Sequence, residues 1–197
     1  MKRVFDILVS LFFIVLLSPV LLIIVLAVLL SGPGGVLFRQ IRVGRGGEEF
    51  HVLKFRTMRP DSEKGGQLTV GGRDPRITRV GYVLRQLKLD ELPQLFNVLA
   101  GQMSVVGPRP EVPKYVALYN EVQRRVLSIR PGITDYASIR YFDENEILAK
   151  AENPEQEYIE QIMPAKLEIN LEYIDNAHLG TDVKILWSTL LRILRLS

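Results

Sequence analysis

Two adjacent carboxylates, Asp90 and Glu91, are the strongest candidates for chemistry in this sequence. They stand where the apolar pattern predicts the start of a helix, and Arg85 and Lys88 come just before them. A helix N-terminus with nearby cations stabilises ionised carboxylates and also attracts phosphate. An ionised carboxylate can attack phosphorus, and two hard oxygen ligands suit Mg²⁺. The plainer alternative for such a pair is a solvated helix cap with an acidic first turn.

Two further segments carry cations that suit a phosphate. Arg109 stands between two prolines in Gly107-Pro108-Arg109-Pro110, and this restriction reduces the entropy lost when a guanidinium binds phosphate. Lys54 ends a predicted strand in Lys54-Phe55-Arg56-Thr57-Met58 and could neutralise a second phosphate. Taken singly, each segment also fits an ordinary reading, a rigid turn for the first and an exposed strand-end lysine for the second.

The amino-acid composition excludes several kinds of functional site. The 197 residues include no cysteine, which excludes disulfides, thiol nucleophiles and Cys-ligated zinc. His51 and His178 are isolated in sequence and lack metal-ligand spacing, so we expect surface or packing roles. The net charge of +3 suits anionic lipid head groups or phosphorylated substrates, and no nucleic acid partner is expected.

Residues 7–30 are almost wholly apolar, interrupted only by Ser10, Ser18 and Pro19. As a helix they would extend about 36 Å at roughly 1.5 Å per residue, enough to cross a bilayer core of about 30 Å. A cleaved signal peptide fits poorly, because the run is too long and no cleavage site of small residues follows it.

The flanks of this segment predict its topology. Basic residues stand on both sides: Lys2, Arg3, Arg39, Arg42 and Arg45. Both flanks therefore favour the cytoplasm. Pro19 bends a helix, and the Ser18 hydroxyl can satisfy a carbonyl that the bend frees. We predict a re-entrant membrane helix over residues 1–32 and a cytoplasmic catalytic domain at the membrane interface over residues 33–197. A kinked helix that crosses the membrane is the alternative.

The remaining pattern predicts an α+β fold dominated by helix. Residues 36–43 and 49–55 are rich in β-branched and aromatic side chains around Gly44-Arg45-Gly46-Gly47, which predicts a small β-hairpin. The glycine-rich residues 61–73 predict a mobile loop. Asp74-Pro75 resembles a helix cap.

Four helical segments are predicted beyond that point. One runs from Asp74-Pro75 to about residue 87, and a second covers residues 92–99. Residues 111–127 and 144–174 carry further helical patterns, the latter broken at Pro154 and Pro164.

Residues 185–196 form a basic amphipathic pattern. It fits an interfacial helix on anionic lipid and equally a helix packed on the core.

Taken together, these segments resemble the bacterial sugar transferase family, the monotopic phosphoglycosyl transferases. The matching blocks are residues 2–6, Ser18-Pro19, residues 54–58, 89–99, 101–104 and 107–110, and Arg130-Pro131-Gly132-Ile133-Thr134. They occur in the family's order along nearly the whole chain, which resembles the minimal catalytic form without additional membrane spans.

The resemblance implies a phosphoglycosyl transferase with a re-entrant helix bent at Ser18-Pro19. Asp90 would attack the β-phosphorus of a UDP-sugar and release UMP, leaving a covalent aspartyl-phosphosugar. Polyprenyl (undecaprenyl) phosphate would then take the sugar phosphate.

The resemblance also implies roles for other groups. Mg²⁺ would bridge carboxylate and diphosphate, with Asp90 and Glu91 as its protein ligands or Glu91 as a positioning group. Phosphate contacts are carried over onto Lys54, Arg85 and Arg109. The implied location is the cytoplasmic face of the bacterial inner membrane, with both termini cytoplasmic, at the first membrane step of a surface polysaccharide or glycoprotein pathway.

One block departs from the family pattern. Many relatives continue Gly-Leu-Ala-Gln-Val where this chain has Asp135-Tyr136-Ala137-Ser138-Ile139. The sugar therefore stays unassigned, as does the oligomeric state, a homodimer included. Two rival functions remain: a membrane-bound phosphohydrolase that uses Asp90 with water as acceptor, and a membrane adaptor without enzymatic activity.

Overall fold

Helices dominate the fold, accompanied by a small hairpin and one short parallel strand pair. These features come from a computed structural model that describes residues 1–60 and 74–194. The prediction of a helix-dominated α+β chain with a β-hairpin is confirmed. The loop predicted over residues 61–73 lies outside the described residues.

The apolar N-terminus forms two helices, α1 (Lys2–Leu16) and α2 (Ser18–Leu30), which meet at a bend of 66°. Pro19 lies in the first turn of α2, and the Ser18 hydroxyl donates to the carbonyl of Val15 at 2.8 Å. The predicted break and its hydroxyl compensation are therefore present. Neither helix is long and apolar enough to cross a membrane by itself, whereas the bent pair meets that test as a unit.

The N-terminal end of this bent pair is fixed to the folded domain. Arg3 donates to the carbonyls of Val98 and Leu99, at 2.6 and 3.0 Å. Asp6, which is 2% exposed, accepts a hydrogen bond from the Ser104 hydroxyl at 2.9 Å. Charged groups buried with matched partners fix an orientation, so α1 is held at a defined angle to the domain.

The C-terminal end of the pair is fixed to the same domain through Arg56. Its guanidinium donates to the carbonyls of Val28, Gly32 and Pro33 at 2.6 to 2.8 Å. The last carbonyls of a helix lack partners within the helix, and a cation there satisfies them. The two ends of the bent pair thus rest on one body.

The predicted hairpin consists of β1 (Leu37–Val43) and β2 (Glu49–Phe55), which pair antiparallel with Leu37 opposite Phe55. Gly46 and Gly47, at φ 72° and 84°, supply two left-handed residues in the connecting turn. Strand β2 buries Phe50 and Val52 on one face, and Phe55 at its end is buried in a second cluster with Ile24, Val28 and Leu84.

Helix α3 covers Arg79–Gln86 and starts later than predicted. Its cap is Thr78, whose hydroxyl accepts from the Gly81 N–H at 2.9 Å. The Asp74 carboxylate accepts the Arg76 backbone N–H at 2.9 Å and pairs with the Arg76 side chain at 2.6 Å, but the chain then turns and Ile77 forms a β-bridge to Met58 instead of entering a helix. The prediction of a cap at Asp74-Pro75 is wrong for this reason.

Asp90 and Glu91 lie in a single 3₁₀ turn, Leu89–Glu91, that precedes α4 (Gln94–Leu99). The carboxylates therefore stand ahead of the α-helix rather than in its first turn. Lys88, immediately before the turn, adopts a left-handed backbone with φ 55°.

The region predicted as one helix over residues 111–127 contains two short pieces, α5 (Pro113–Val116) and a 3₁₀ segment (Gln123–Ser128). Asn120 and Gln123 explain the interruption. Each side-chain oxygen accepts the other residue's backbone N–H at 2.9 Å, which starts a new turn. The predicted helical pattern of residues 111–127 is therefore realised as two short helical pieces.

The following segment comprises α6 (Tyr136–Arg140), α7 (Glu144–Ala149) and α8 (Pro154–Glu157). A π-helical stretch (Tyr158–Ile162) then joins α8 to α9 (Met163–Asp175). Pro154 starts a helix, as predicted. Pro164 breaks nothing, because the wider π turn before it accommodates a residue that lacks an N–H.

A parallel strand pair escaped sequence analysis. Strand β3 (Ser104–Val106) pairs with β4 (Gly132–Thr134), and the chain turns at Gly107 directly after β3. A Cβ atom on Gly132 would overlap the Gly107 backbone, so the close approach requires glycine. Strands of three residues carry too little pattern to be predicted.

Helix α10 (Leu179–Leu194) shows the packing on the core that one of the two readings of the C-terminal segment predicted. Ile185 is fully buried against the core. Other large apolar side chains of the helix are exposed, namely Val183, Trp187, Leu190 and Leu194. One face therefore packs on the domain, and the other presents apolar surface.

Candidate active site

Glu91 is the centre of an ion-pair cluster built from three elements. Arg109 Nη1 lies 3.0 Å from Glu91 Oε2, and Arg109 Nη2 binds Oε1. Lys54, at the end of β2, places its Nζ atom 3.0 Å from the same Oε1. The hairpin, the 3₁₀ turn and the loop after β3 thus meet at one carboxylate.

The electrostatics of Glu91 keep it ionised. Burial alone would raise its pKa, but Arg109 and Lys54 outweigh burial and hold the pKa well below its ordinary value. Glu91 in turn raises the pKa of Arg109 against the effect of burial. A carboxylate with so low a proton affinity is a poor general base, and its position suits holding two cations.

Asp90 differs sharply from its neighbour. The residue is 7% exposed, and within the described part of the chain no hydrogen bond or ion pair reaches its carboxylate. Burial, and then the charge of Glu91, raise its pKa above the ordinary value. A buried carboxylate without a partner, at the wall of a cleft, is available to a ligand.

Arg85 completes the set of predicted site residues. It lies in the last turn of α3, and its Nε donates to the Thr57 hydroxyl at 2.9 Å. One cleft of about 1420 Å³ is lined by all five: Lys54, Arg85, Asp90, Glu91 and Arg109. Ser18 and Pro19, at the bend between α1 and α2, do not line this cleft, although the preceding residue Leu17 does. The structure therefore brings the five cleft residues together, while their chemical roles stay predictions.

The backbone of Arg109 is fixed by Asp135, for which sequence analysis found no role. Asp135 is fully buried, and its Oδ2 accepts the Arg109 N–H at 3.0 Å. Its Oδ1 accepts the Ser138 N–H at 2.6 Å and so caps α6. The signal in the sequence was a helix-capping aspartate, but its second contact is long-range.

Comparison with known proteins decides the family. The sequence pattern that defines the bacterial sugar transferases matches residues 1–196.

The chain belongs to the bacterial sugar transferase family.

Individual relatives agree with this assignment. The chain is 38% identical to the UDP-glucose:undecaprenyl-phosphate glucose-1-phosphate transferase of Escherichia coli (strain K12), over 98% of this chain and 40% of that protein. It is 38% identical to the UDP-N-acetylgalactosamine-undecaprenyl-phosphate N-acetylgalactosaminephosphotransferase of Aeromonas hydrophila, over 98% and 43%. It is also 36% identical to the uncharacterized sugar transferase EpsL of Bacillus subtilis (strain 168), over 98% and 87%. The present chain thus spans less than half the length of the first two relatives.

The residues of this cleft fit Mg²⁺ in one particular way. Among residues 1–60 and 74–194, no group of three or more His, Cys, Asp or Glu side chains could hold a metal ion. Mg²⁺ commonly takes one or two carboxylates and completes its shell with substrate phosphates and water. Asp90 has a carboxylate free for that purpose, whereas Glu91 already binds Lys54 and Arg109.

Lys88, which sequence analysis noted only as a cation close to Asp90, also lines the cleft. Lys88 Nζ lies 4.9 Å from the centre of the Phe142 ring, and the guanidinium carbon of Arg192 lies 5.2 Å from the same ring. The charge of Lys88 opposes the rise in the pKa of Asp90. Phe142 thus links the turn before Asp90 to the end of α10.

Hydrogen bonds from Arg42 and Tyr158 hold the loop that follows Arg109. Arg42 donates to the Pro110 carbonyl at 3.0 Å and to Glu111 Oε1 at 3.1 Å, while the Tyr158 hydroxyl donates to Glu111 Oε2. No sequence signal linked these residues, because they meet only in the folded chain.

Asp143 and the two histidines noted from sequence lie outside the ion-pair cluster. Asp143 pairs with Arg192 at 2.8 Å, and His178 accepts the Thr181 N–H at 3.2 Å near the start of α10. The side chain of His51 is exposed.

Proposed function

We propose that this chain transfers a sugar 1-phosphate from a UDP-sugar to polyprenyl (undecaprenyl) phosphate and releases UMP, as the first membrane step of a surface glycan pathway. The observation that supports this proposal is the contrast between two neighbouring residues, Asp90 and Glu91. Asp90 offers a carboxylate without a partner in the described structure, and Glu91 holds two cations beside it. That arrangement provides a nucleophile next to a site for phosphate.

The first half of the reaction is a substitution at the β-phosphorus of the donor. An Asp90 oxygen forms a bond to phosphorus, the bond from phosphorus to the bridging oxygen breaks, and UMP leaves with that electron pair. In the second half, an oxygen of polyprenyl phosphate attacks the same phosphorus and displaces the Asp90 carboxylate. The products are polyprenyl diphosphosugar and the regenerated enzyme.

The neighbouring cations offset the charge of one anion approaching another. Arg109 and Lys54 are held in place by Glu91, and Arg85 approaches from α3. Most catalysis of phosphoryl transfer comes from such preorganised charge. We assign Glu91 to positioning the two cations. Polyprenyl phosphate has a second pKa of about 6, so it is largely dianionic at neutral pH and needs no general base.

We infer that Mg²⁺ binds at Asp90 together with the donor diphosphate. When bound, it would supply Lewis-acid stabilisation of the phosphoryl oxygens. Glu91 could become a second ligand only by giving up contacts to its cations.

We infer that the bent helix pair enters and leaves the membrane on its cytoplasmic face. Large apolar side chains are exposed along it, among them Leu8, Phe12, Val15, Leu22, Ile23 and Leu26. Arg3 and Arg56 attach its two ends to the same domain, which supports a re-entrant course over a crossing. The location would be the bacterial inner membrane, with both termini cytoplasmic and the site near the lipid phosphate.

The test is capture of the covalent intermediate. Full-length protein in detergent or nanodiscs receives UDP-sugar labelled in the β-phosphate with Mg²⁺ and no acceptor. Labelled wild-type protein and unlabelled Asp90→Asn are expected, with label passing to undecaprenyl phosphate when it is added. Asp175→Asn, at an exposed carboxylate paired with Arg125, serves as the matched control and should label normally.

Two outcomes would overturn the proposal. UMP release without a lipid-linked product would favour a phosphohydrolase, and full transferase activity in Asp90→Asn would remove the nucleophile. Loss of fold is not expected in that variant, because the raised pKa of Asp90 means that burial already disfavours its charge.

A further inference from the structure

One wall of the active-site cleft carries three buried polar atoms without hydrogen-bond partners among the described residues, and two of them belong to the neutral side chains of Asn170 and Ser138. Asn170, on α9, is 4% exposed, and its Oδ1 atom has no hydrogen bond within the described residues. The hydroxyl of Ser138, on α6, is likewise buried and without a partner there. Both residues line the cleft that contains Asp90. An unsatisfied buried polar group costs about 1–3 kcal/mol, so two in one wall require a reason.

This wall adjoins the proposed phosphate site. The backbone N–H groups of Ser138 and Arg109 bind the two oxygens of one carboxylate, that of Asp135. Arg109 in turn binds Glu91. Helix α9, which carries Asn170, packs against α6. The unpartnered groups therefore lie on the side of the cleft next to Arg109.

The chemistry of the wall suits a neutral ligand with several hydrogen-bonding groups. Its charged side chains form ion pairs, Lys166 with Glu144 at 2.7 Å and Arg192 with Asp143 at 2.8 Å, and the buried Nε atom of Arg192 adds one further donor without a partner among the described residues. A serine hydroxyl and an asparagine amide both donate and accept hydrogen bonds. A prenyl chain offers no such groups.

We propose that Ser138 and Asn170 bind the sugar of the UDP-sugar donor and contribute to the choice of sugar. This inference rests on the proposed function. The sugar is bonded directly to the β-phosphate, so its binding site must border the cations that hold that phosphate. The uracil base is separated from the β-phosphate by the α-phosphate and ribose, and therefore lies farther from Arg109.

The experiment measures donor choice in two variants, Asn170→Leu and Ser138→Ala. UMP release with undecaprenyl phosphate and Mg²⁺ is followed for UDP-glucose, UDP-galactose and their two N-acetylated counterparts. Removing a hydrogen bond to a bound sugar should lower kcat/KM for the preferred donor about 10–100-fold and for poor donors less than about threefold. The exposed residues Asn176 and Ser128 provide matched controls, Asn176→Leu and Ser128→Ala, which should retain the original preference.

Thermal unfolding separates a binding role from a structural one. Without donor, the Tm of Asn170→Leu and Ser138→Ala should equal or exceed that of the wild type, because each variant removes an unsatisfied buried group. In wild-type protein a UDP-sugar should raise Tm more than UDP does, and the variants should lose that increment.

Three results would count against the assignment. An equal fall in kcat/KM for all donors together with a lower Tm would indicate a structural role. Unchanged donor preference would show that the wall does not contact the sugar. Failure of the proposed function would appear separately, as wild-type protein that releases UMP from no donor, and would remove the sugar assignment with it.

Discussion

Arg109 binds both carboxylate oxygens of Glu91, with its Nη1 atom 3.0 Å from Oε2. The two groups come from different elements, a 3₁₀ turn and the loop after β3. A planar guanidinium fixed at two points has one orientation, and its remaining donors can face the cleft. Glu91 thereby sets the geometry of a cation beside Asp90.

Replacing Arg109 with lysine should therefore impair the reaction strongly. Arg109→Lys keeps the charge but cannot form the two-point contact, so we expect kcat to fall about 10²–10³-fold, as for loss of one preorganised donor. UMP release under saturating donor measures this effect. Arg124→Lys, at an exposed position, is the control, and equal activity in both variants would contradict the role of the two-point contact.

The acid limb of the pH profile should report Asp90. Only the ionised carboxylate attacks, so kcat/KM for covalent labelling is lost as pH falls through the Asp90 pKa. Because burial and then Glu91 raise that pKa, the midpoint should lie above the ordinary value of 3.8. Labelling without acceptor avoids the titration of polyprenyl phosphate.

Glu91→Gln should shift the acid limb of the pH profile to lower pH. The substitution removes a neighbouring negative charge and frees the charges of Lys54 and Arg109, so the pKa of Asp90 should fall. We expect a lower midpoint together with reduced labelling at all pH values. A midpoint that stays fixed or rises would show that another group controls the limb.

Arg56→Met should destabilise the attachment of α2. The substitution leaves the carbonyls of Val28, Gly32 and Pro33 without their cation, at a cost of about 3 kcal/mol. The corresponding fall in Tm is roughly 6–12 °C for a chain of this size. Arg124→Met is the exposed control, and a fall in Tm below about 2 °C for Arg56→Met would contradict the anchoring role.

The re-entrant course of the bent pair can be tested with cysteines, since the chain has none of its own. A cysteine added before Met1 and one introduced as Glu48→Cys should react with a membrane-impermeant maleimide from the same side. In a variant carrying both Ser18→Ala and Pro19→Ala, the added cysteine should become protected, because a straightened helix crosses the membrane. Opposite sides in the unaltered background would exclude the re-entrant form.

Sequence by itself determined the features that depend on local pattern or on residue type. The hairpin followed from β-branched residues around Gly44-Arg45-Gly46-Gly47, and the helix break followed from Pro19 beside a hydroxyl. Asp90 and the cations Lys54, Arg85 and Arg109 stood out because their residue types suit phosphate chemistry. Local errors arose where a long-range contact replaced an expected element, as the bridge between Ile77 and Met58 replaced the helix start predicted at Asp74.

Tertiary structure alone decided how the two carboxylates divide their roles. Residues 90 and 91 are adjacent in sequence, yet Glu91 meets cations from positions 54 and 109, while Asp90 is left without a partner among the described residues. Asp135 and Arg109, and the wall formed by Ser138 and Asn170, likewise meet only when distant segments pack. Such contacts depend on burial and long-range geometry, which no local pattern encodes.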